Sequence, residues 1–385
     1  MKKIKQTKYF NISNSTFKPG IHIKSSTLFY ISLVTVICLY IMQISTQRVK
    51  VNSYDQMVGT AKKIHEAYQK IREYRETNNL LINQIFDPNK TGFIGEEFSV
   101  ITTTLGNLDA KQTALNHDFA ALIVKWIKEL AVPRNKNVII HASASFPGLT
   151  IMAILACENL NLNPLIISSV GSSSWGANFP PFTYLDIESY LYQQGILKHR
   201  STFVTPGGNN DNGSSLWEGG LDIVKSSAQR NNYELNIPAS LGEAIEKKWE
   251  LINRLNPVLF INIGGNHSAL GNGNCALNIP VGKILQPLKC SANGIKGLIY
   301  KCCDKGIPVI HLLNIKEIAS TNGINLNPVP FPEPGESDIY FEKSISLPIA
   351  LLSITIIILS LFFQRMKDNI YKIPSISSTI LTNLK

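Results

Sequence analysis

The sequence predicts an α/β protein: a mostly parallel, doubly wound (Rossmann-like) sheet in an extracytoplasmic domain flanked by two transmembrane helices. Three observations carry this expectation. From about residue 117, short β-branched runs alternate with longer amphipathic stretches, the pattern of a parallel sheet covered on both faces. Two runs, 28–44 (LFYISLVTVICLYIMQI) and 345–363 (ISLPIALLSITIIILSLFF), carry no charged residue and approach the roughly 20 residues that a helix needs to cross a bilayer. The formal charge of +10 lies almost wholly outside these runs and the stretch between them.

The charge distribution orients the chain. Residues 1–27 hold six Lys and no acid, and the tail after Phe363 holds Arg365, Lys367, Lys372 and Lys385 against Asp368. Basic flanks of membrane helices are retained in the cytoplasm, whereas a long intervening segment translocates largely regardless of its charge. Both tails are therefore expected to be cytoplasmic and residues 45–344 extracytoplasmic. The near-neutral middle argues against nucleic-acid binding, which needs a clustered basic surface. The first run exceeds the usual apolar core of a cleaved leader and is followed by STQRVK, with no small-x-small cleavage pattern, so it reads as an uncleaved signal anchor.

Along the chain, the expected organisation is a basic tail (1–27), a signal anchor (28–44), a helical stalk (45–86), an α/β ectodomain (87–327), a Pro-rich linker (328–344), a second membrane helix (345–363) and a basic tail (364–385). Within 54–86, Met57, Ala61, Ile64, Tyr68, Ile71 and Leu81 form an apolar stripe at helical spacing. It fits a stalk or a helix packed on the domain equally well. Strands are expected at 138–141, 165–169, 202–205, 258–263 and 309–312, with helices at 117–130, 149–160, 215–229, 241–255, 295–305 and 315–321. Residues 328–336 (PVPFPEPGE) read as an extended spacer.

Ligands of an open parallel sheet bind outside the carboxyl ends of its strands. The loops expected there are rich in Gly and small polar residues: ASASFPG (142–148), GSSSWGAN (171–178), PGGNNDNG (206–213) and GGNHSALG (264–271). Ser143, Ser145, Ser174, Asn209, Asp211, Asn266 and His267 are thus the candidate ligand-binding residues. The dinucleotide and P-loop fingerprints are absent, although a phosphate could sit on Ser143, Ser145 and the following amides. Ser145 as nucleophile, His267 as base and Asp211 as orienter supply the residue types of a hydrolytic triad, without the usual Gly-x-Ser-x-Gly elbow. Hydroxyls capping a helix are the plainer reading of the same serines. Glu96, Glu97 and Asp109 are candidate ligands for a hard cation, with a solvated turn as the plainer alternative. No cofactor is assigned. A Cys275–Cys290 bridge would suit an oxidising compartment, but spacing alone does not fix connectivity.

The strings GFIGEEFSVITTTLGNLDAKQTALN (92–116), ASASFPGLTIMAILACENLNLNPLIISSVGSSSWGANFPPFTYLDIE (142–188), FINIGGN (260–266) and GIPVIHLLNI (306–315) resemble the poly-γ-glutamate system protein family. The resemblance covers about residues 55–335. It implies a membrane-anchored accessory protein of the machinery that makes and exports poly-γ-glutamate capsule or slime, with the polymer and its synthase and export proteins as partners. A hydrolase or γ-glutamyl transferase acting on the polymer, and a scaffold of the export complex, are the alternatives. A binding role is favoured over catalysis. Because the middle is nearly neutral, contact with a polyanion is expected at loop amides after Ser145 and Gly265 rather than at helix lysines such as Lys247 and Lys248.

Overall fold

The computed structural model describes residues 25–290 and 294–370; residues 1–24 and 371–385 of the two basic tails lie outside it. The elements are α1 (Ser25–Ile44), β1 (Thr46–Lys50), α2 (Tyr54–Thr77), α3 (Leu108–Ala114), α4 (Asp118–Glu129), β2 (Asn137–Ser143), α5 (Pro147–Asn159), β3 (Asn163–Ser169) and α6 (Tyr184–Gln193). They continue as β4 (Ser201–Thr205), α7 (Gly220–Arg230), α8 (Leu241–Leu255), β5 (Leu259–Ile263), α9 (His267–Leu270), α10 (Asn274–Leu277), β6 (Gly282–Ile284), α11 (Leu298–Asp304), β7 (Val309–Leu312), α12 (Ile315–Thr321), β8 (Phe341–Ile345) and α13 (Leu347–Ile370). The chain forms two compact units, one from its two ends (to Val49 and from Lys343) and one spanning Lys50–Glu342.

In the terminal unit, α1 and α13 pack along one another. Ser25–Ile44 and Leu347–Met366 are each long and apolar enough to cross a membrane, and little of either is buried within the protein.

The larger unit is α/β, built on a six-stranded sheet in the order β4-β3-β2-β5-β7-β6. All pairings are parallel except β6, which runs antiparallel to β7 at one edge. Side-chain alternation splits the sheet between two cores. Val138, Ile140, Leu259, Ile261 and Ile310 pack into a large core with α2, α4 and α5, whereas Ile139, Phe260 and Val309 face a smaller core with α8 and α11. A strand buried on both faces is apolar wherever no buried partner satisfies a polar side chain, and in β2, β5 and β7 the hydrophobic runs are broken at His141, Asn262 and His311, which bond to one another. The five strands expected from sequence are present. The sixth, β6, is three residues long and too short to carry a periodic signal.

Residues 45–86 do not form a stalk. Helix α2 lies in the large core, with Met57, Ala61, Ile64 and Ile71 fully buried. Burying each large apolar side chain contributes roughly 1.5–3 kcal/mol, so a free stalk would forfeit far more than docking costs. The helix also ends at Thr77 rather than at residue 86. Asn79 adopts a left-handed conformation (φ 55°) and donates to Glu76 O, while Leu80 N bonds back to Arg75 O at 2.8 Å. This is a C-terminal Schellman closure, and it leaves Leu81 outside the helix and 89% exposed.

The Pro-rich segment is likewise no free spacer. Phe331 packs against the Tyr68 and His117 rings, Asn89 donates to Pro328 O at 2.9 Å, and Ile339 and Tyr340 are buried. The folded unit therefore begins near residue 50 and ends near 342, not at 87 and 327. Cys275 and Cys290 are joined by a disulfide; Cys38, Cys157, Cys302 and Cys303 are buried thiols.

Candidate functional site

The strand order reverses between β2 and β5: β3 and β4 lie on one side and β5 and β7 on the other. Chains leaving the carboxyl ends of neighbouring strands diverge there, which opens a crevice. A pocket of about 320 Å³ occupies it, walled by the loops after β2, β3, β4, β5 and β7 and by residues 103–111. Ser143, Ser145, Asn209, Asn266 and His267 all line this pocket. Ser174 does not: its side chain is buried outside the lining, and its neighbour Ser173 faces the pocket instead. Asp211 lies fully buried outside the lining, joined to the pocket through Asn266.

The buried cluster around Asp211 is built from four elements. The β4 loop turns through left-handed backbone at Asn210 and Asp211 (φ 55° and 60°), which carries the carboxylate inward. It accepts from Thr205 Oγ1 at 2.8 Å, Asn266 Nδ2 at 2.9 Å and Ser268 Oγ at 3.1 Å. Its charge partner is Lys248 of α8, with both side chains at 1% exposure or less. Lys248 Nζ also reaches Ser268 Oγ at 2.9 Å and His141 Nε2 at 3.2 Å. Burial would push the Asp211 carboxyl up, but the Lys248 ammonium and the surrounding donors hold it below its ordinary value. A buried pair so fully bonded is stable as a unit and costly to break.

A second lysine stands in the pocket wall. Lys111 of α3 is 4% exposed, and its amine bonds Ser145 O and, at 2.8 Å, Ser173 Oγ, and lies 3.9 Å from the centre of the Phe146 ring. Among the described residues no carboxylate pairs with it, and burial lowers its pKa to about 7. Among the described residues no Asp or Glu lines the pocket. The site is thus a polar cavity with hydroxyl, amide and imidazole groups and, in Lys111, a buried amine able to gain or lose its proton near neutrality. Such a surface suits an anion.

The triad expected from sequence is not assembled. Asp211 is committed to Lys248 rather than to His267, Ser145 Oγ accepts from Ser173 N at 3.0 Å, and no hydrogen bond joins Ser145 to His267. A buried carboxylate takes the nearest charge, and Lys248 supplies it. The candidate cation ligands are also not gathered: Glu96 and Glu97 are exposed, Asp109 pairs with Lys316 at 3.5 Å, and no group of three metal-binding side chains is close enough to hold an ion among the described residues.

Sequence reasoning missed both lysines and treated Lys248 as a surface charge. A signal existed: Leu241, Ala244, Ile245, Lys248 and Ile252 fall on one helical face, and the other four are buried apolar residues. A lysine on an apolar stripe needs a buried partner. For Lys111 no comparable pattern is present, because α3 spans only seven residues.

No protein-family model, no curated protein and no solved structure matches the chain.

Proposed function

We propose that the chain is a membrane-anchored accessory component of poly-γ-glutamate synthesis or export, with a Rossmann-like ectodomain that binds the polymer in the pocket at the sheet edge. Both tails lie in the cytoplasm and residues 45–344 outside the bacterial cell membrane. The observation that carries the binding role is the convergence of five loops on one pocket that contains Lys111 and, among the described residues, no acid. The two terminal apolar helices, the six-Lys leader and the Cys275–Cys290 bridge support the topology, since disulfides persist outside the cytoplasm. The pathway rests on the resemblance of residues 92–116 and 142–188 to the poly-γ-glutamate system proteins.

Full-length protein in lipid nanodiscs, titrated with poly-γ-glutamate while chain length is followed by size-exclusion chromatography, tests this reading. Binding without shortening is the expected result. Shortening would favour a hydrolase or transferase. Neither binding nor shortening would leave only a scaffold and overturn the proposal.

A further inference from the structure

We propose that the pocket holds a single carboxylate between the Lys111 amine and the Ser143 hydroxyl, as the anchoring subsite for a short γ-glutamyl chain end. The γ-glutamyl part rests on the function proposed above; the carboxylate subsite rests on the geometry.

Ser143 ends β2, lines the pocket and is 7% exposed, yet its Oγ has no partner among the described residues. Buried hydroxyls are almost always bonded, so this one is a donor awaiting an acceptor. Room for it depends on Gly264, whose backbone (φ 86°) approaches so closely that a Cβ there would clash with Ser143 Oγ. The ammonium form of Lys111 has three N–H groups. Two are used by Ser145 O and Ser173 Oγ, which leaves the third, beside the Phe146 ring, without an oxygen acceptor among the described residues.

The ligand class follows from charge and size. Among the described residues the lining provides one buried amine and no acid to offset it. A carboxylate matches that single charge, and its two oxygens can accept from Lys111 and Ser143 separately. A phosphate dianion would bring a second negative charge to a wall whose described residues hold no second Lys or Arg. At about 320 Å³ the cavity is at the small end of ligand pockets, roughly 300–1,000 Å³. It therefore fits a terminal residue or two better than a continuous polymer stretch.

The test is calorimetric titration of the full-length protein in nanodiscs, in buffer free of carboxylate and phosphate. The probes are γ-glutamylglutamate, its fully amidated analogue, glutarate and inorganic phosphate. The dipeptide should bind, with the amidated analogue and phosphate each at least about tenfold weaker. Lys111→Met should weaken the dipeptide about tenfold or more, and Ser143→Ala about three- to tenfold. Should Lys111→Met not fold, Ser143→Ala, which removes only an unbonded hydroxyl, carries the comparison. Wild-type affinity in both variants, tighter binding of phosphate, or no binding by any probe overturns the subsite. If dipeptide and polymer bind undiminished in both variants, the subsite fails and the function proposed above stands. If glutarate binds in a Lys111-dependent manner while dipeptide and polymer do not, the subsite stands and that function fails.

Discussion

His141 on β2 and Asn262 on β5 stand directly opposite one another in register, and their side chains join at 3.0 Å between Nδ1 and Oδ1. Asn262 is in turn opposite His311 on β7, which it meets at 3.0 Å through Nδ2. The Asn262 amide also donates to Gly264 O at 2.8 Å, which assigns its Nδ2 and Oδ1. His141 therefore carries its hydrogen on Nδ1, leaving Nε2 to accept from Lys248, and His311 carries its hydrogen on Nε2. A polar row thus crosses three strands and links the sheet interior to the Lys248–Asp211 pair beside the pocket.

Both imidazoles are held neutral. Burial, with the Lys248 charge adding to it, lowers His141 to about 3, and burial lowers His311 to about 4. Unfolded, both titrate near 6.5, so between these values the unfolded chain binds more protons and stability falls as pH drops. The loss begins near pH 6.5 and reaches on the order of 2 kcal/mol per imidazole by pH 5. Guanidinium unfolding midpoints at pH 7, 6 and 5 measure it; a midpoint that does not move would refute neutral burial.

Breaking the buried pair should be costly from either side. Lys248→Met strands the Asp211 carboxylate, and Asp211→Asn strands the ammonium while tolerating the left-handed backbone at 211. Each is expected to destabilise by about 3–5 kcal/mol. The double substitution should cost less than the sum by about 1 kcal/mol or more, because the second change no longer leaves a lone charge. Strict additivity in denaturant melts would show that the two side chains do not depend on one another.

Ligand affinity should depend on the protonation of Lys111. With the amine lowered to about 7, it is charged below that pH and neutral above it. Affinity for γ-glutamylglutamate is expected to fall about tenfold from pH 6 to pH 8, tracking the ammonium fraction. Lys111→Arg, charged throughout, should flatten the profile. Titration calorimetry at three pH values decides; an unchanged slope in the arginine variant would show that Lys111 is not the group that titrates.

Topology has a direct biochemical readout. A reporter fused after Lys385 should be cytoplasmic, and protease outside intact spheroplasts should cleave within residues 45–344. Cys275 and Cys290 should resist alkylation until reductant is added. Thiols at these positions that react at once in freshly isolated membranes, or a middle segment cleaved only in inverted vesicles, would reverse the orientation.

Much of the architecture was legible along the chain because its determinants are local. The 258–263, 309–312, 241–255 and 315–321 segments appear in the structure at or within a residue of their expected bounds, since apolar runs and helical stripes are encoded by near neighbours. The pocket loops could be placed together because strands in a parallel sheet share a carboxyl edge. Ser143, Ser145, Asn209, Asn266 and His267 follow from that rule alone.

Tertiary structure decided what depends on distant partners. Whether the Met57–Ile71 stripe faced solvent or a core was undetermined until α4 and α5 were seen to cover it. Asp211, placed on sequence beside His267, is taken by Lys248, 37 residues away, because a fully buried carboxylate must be neutralised by whichever cation the fold brings to it. Lys111 acquires its lowered pKa only through burial against the loops of residues 145 and 173, since desolvation is a property of the packed environment. Residue type and spacing thus set the sheet and the edge where the pocket lies, while the charges around that pocket are set by three-dimensional packing.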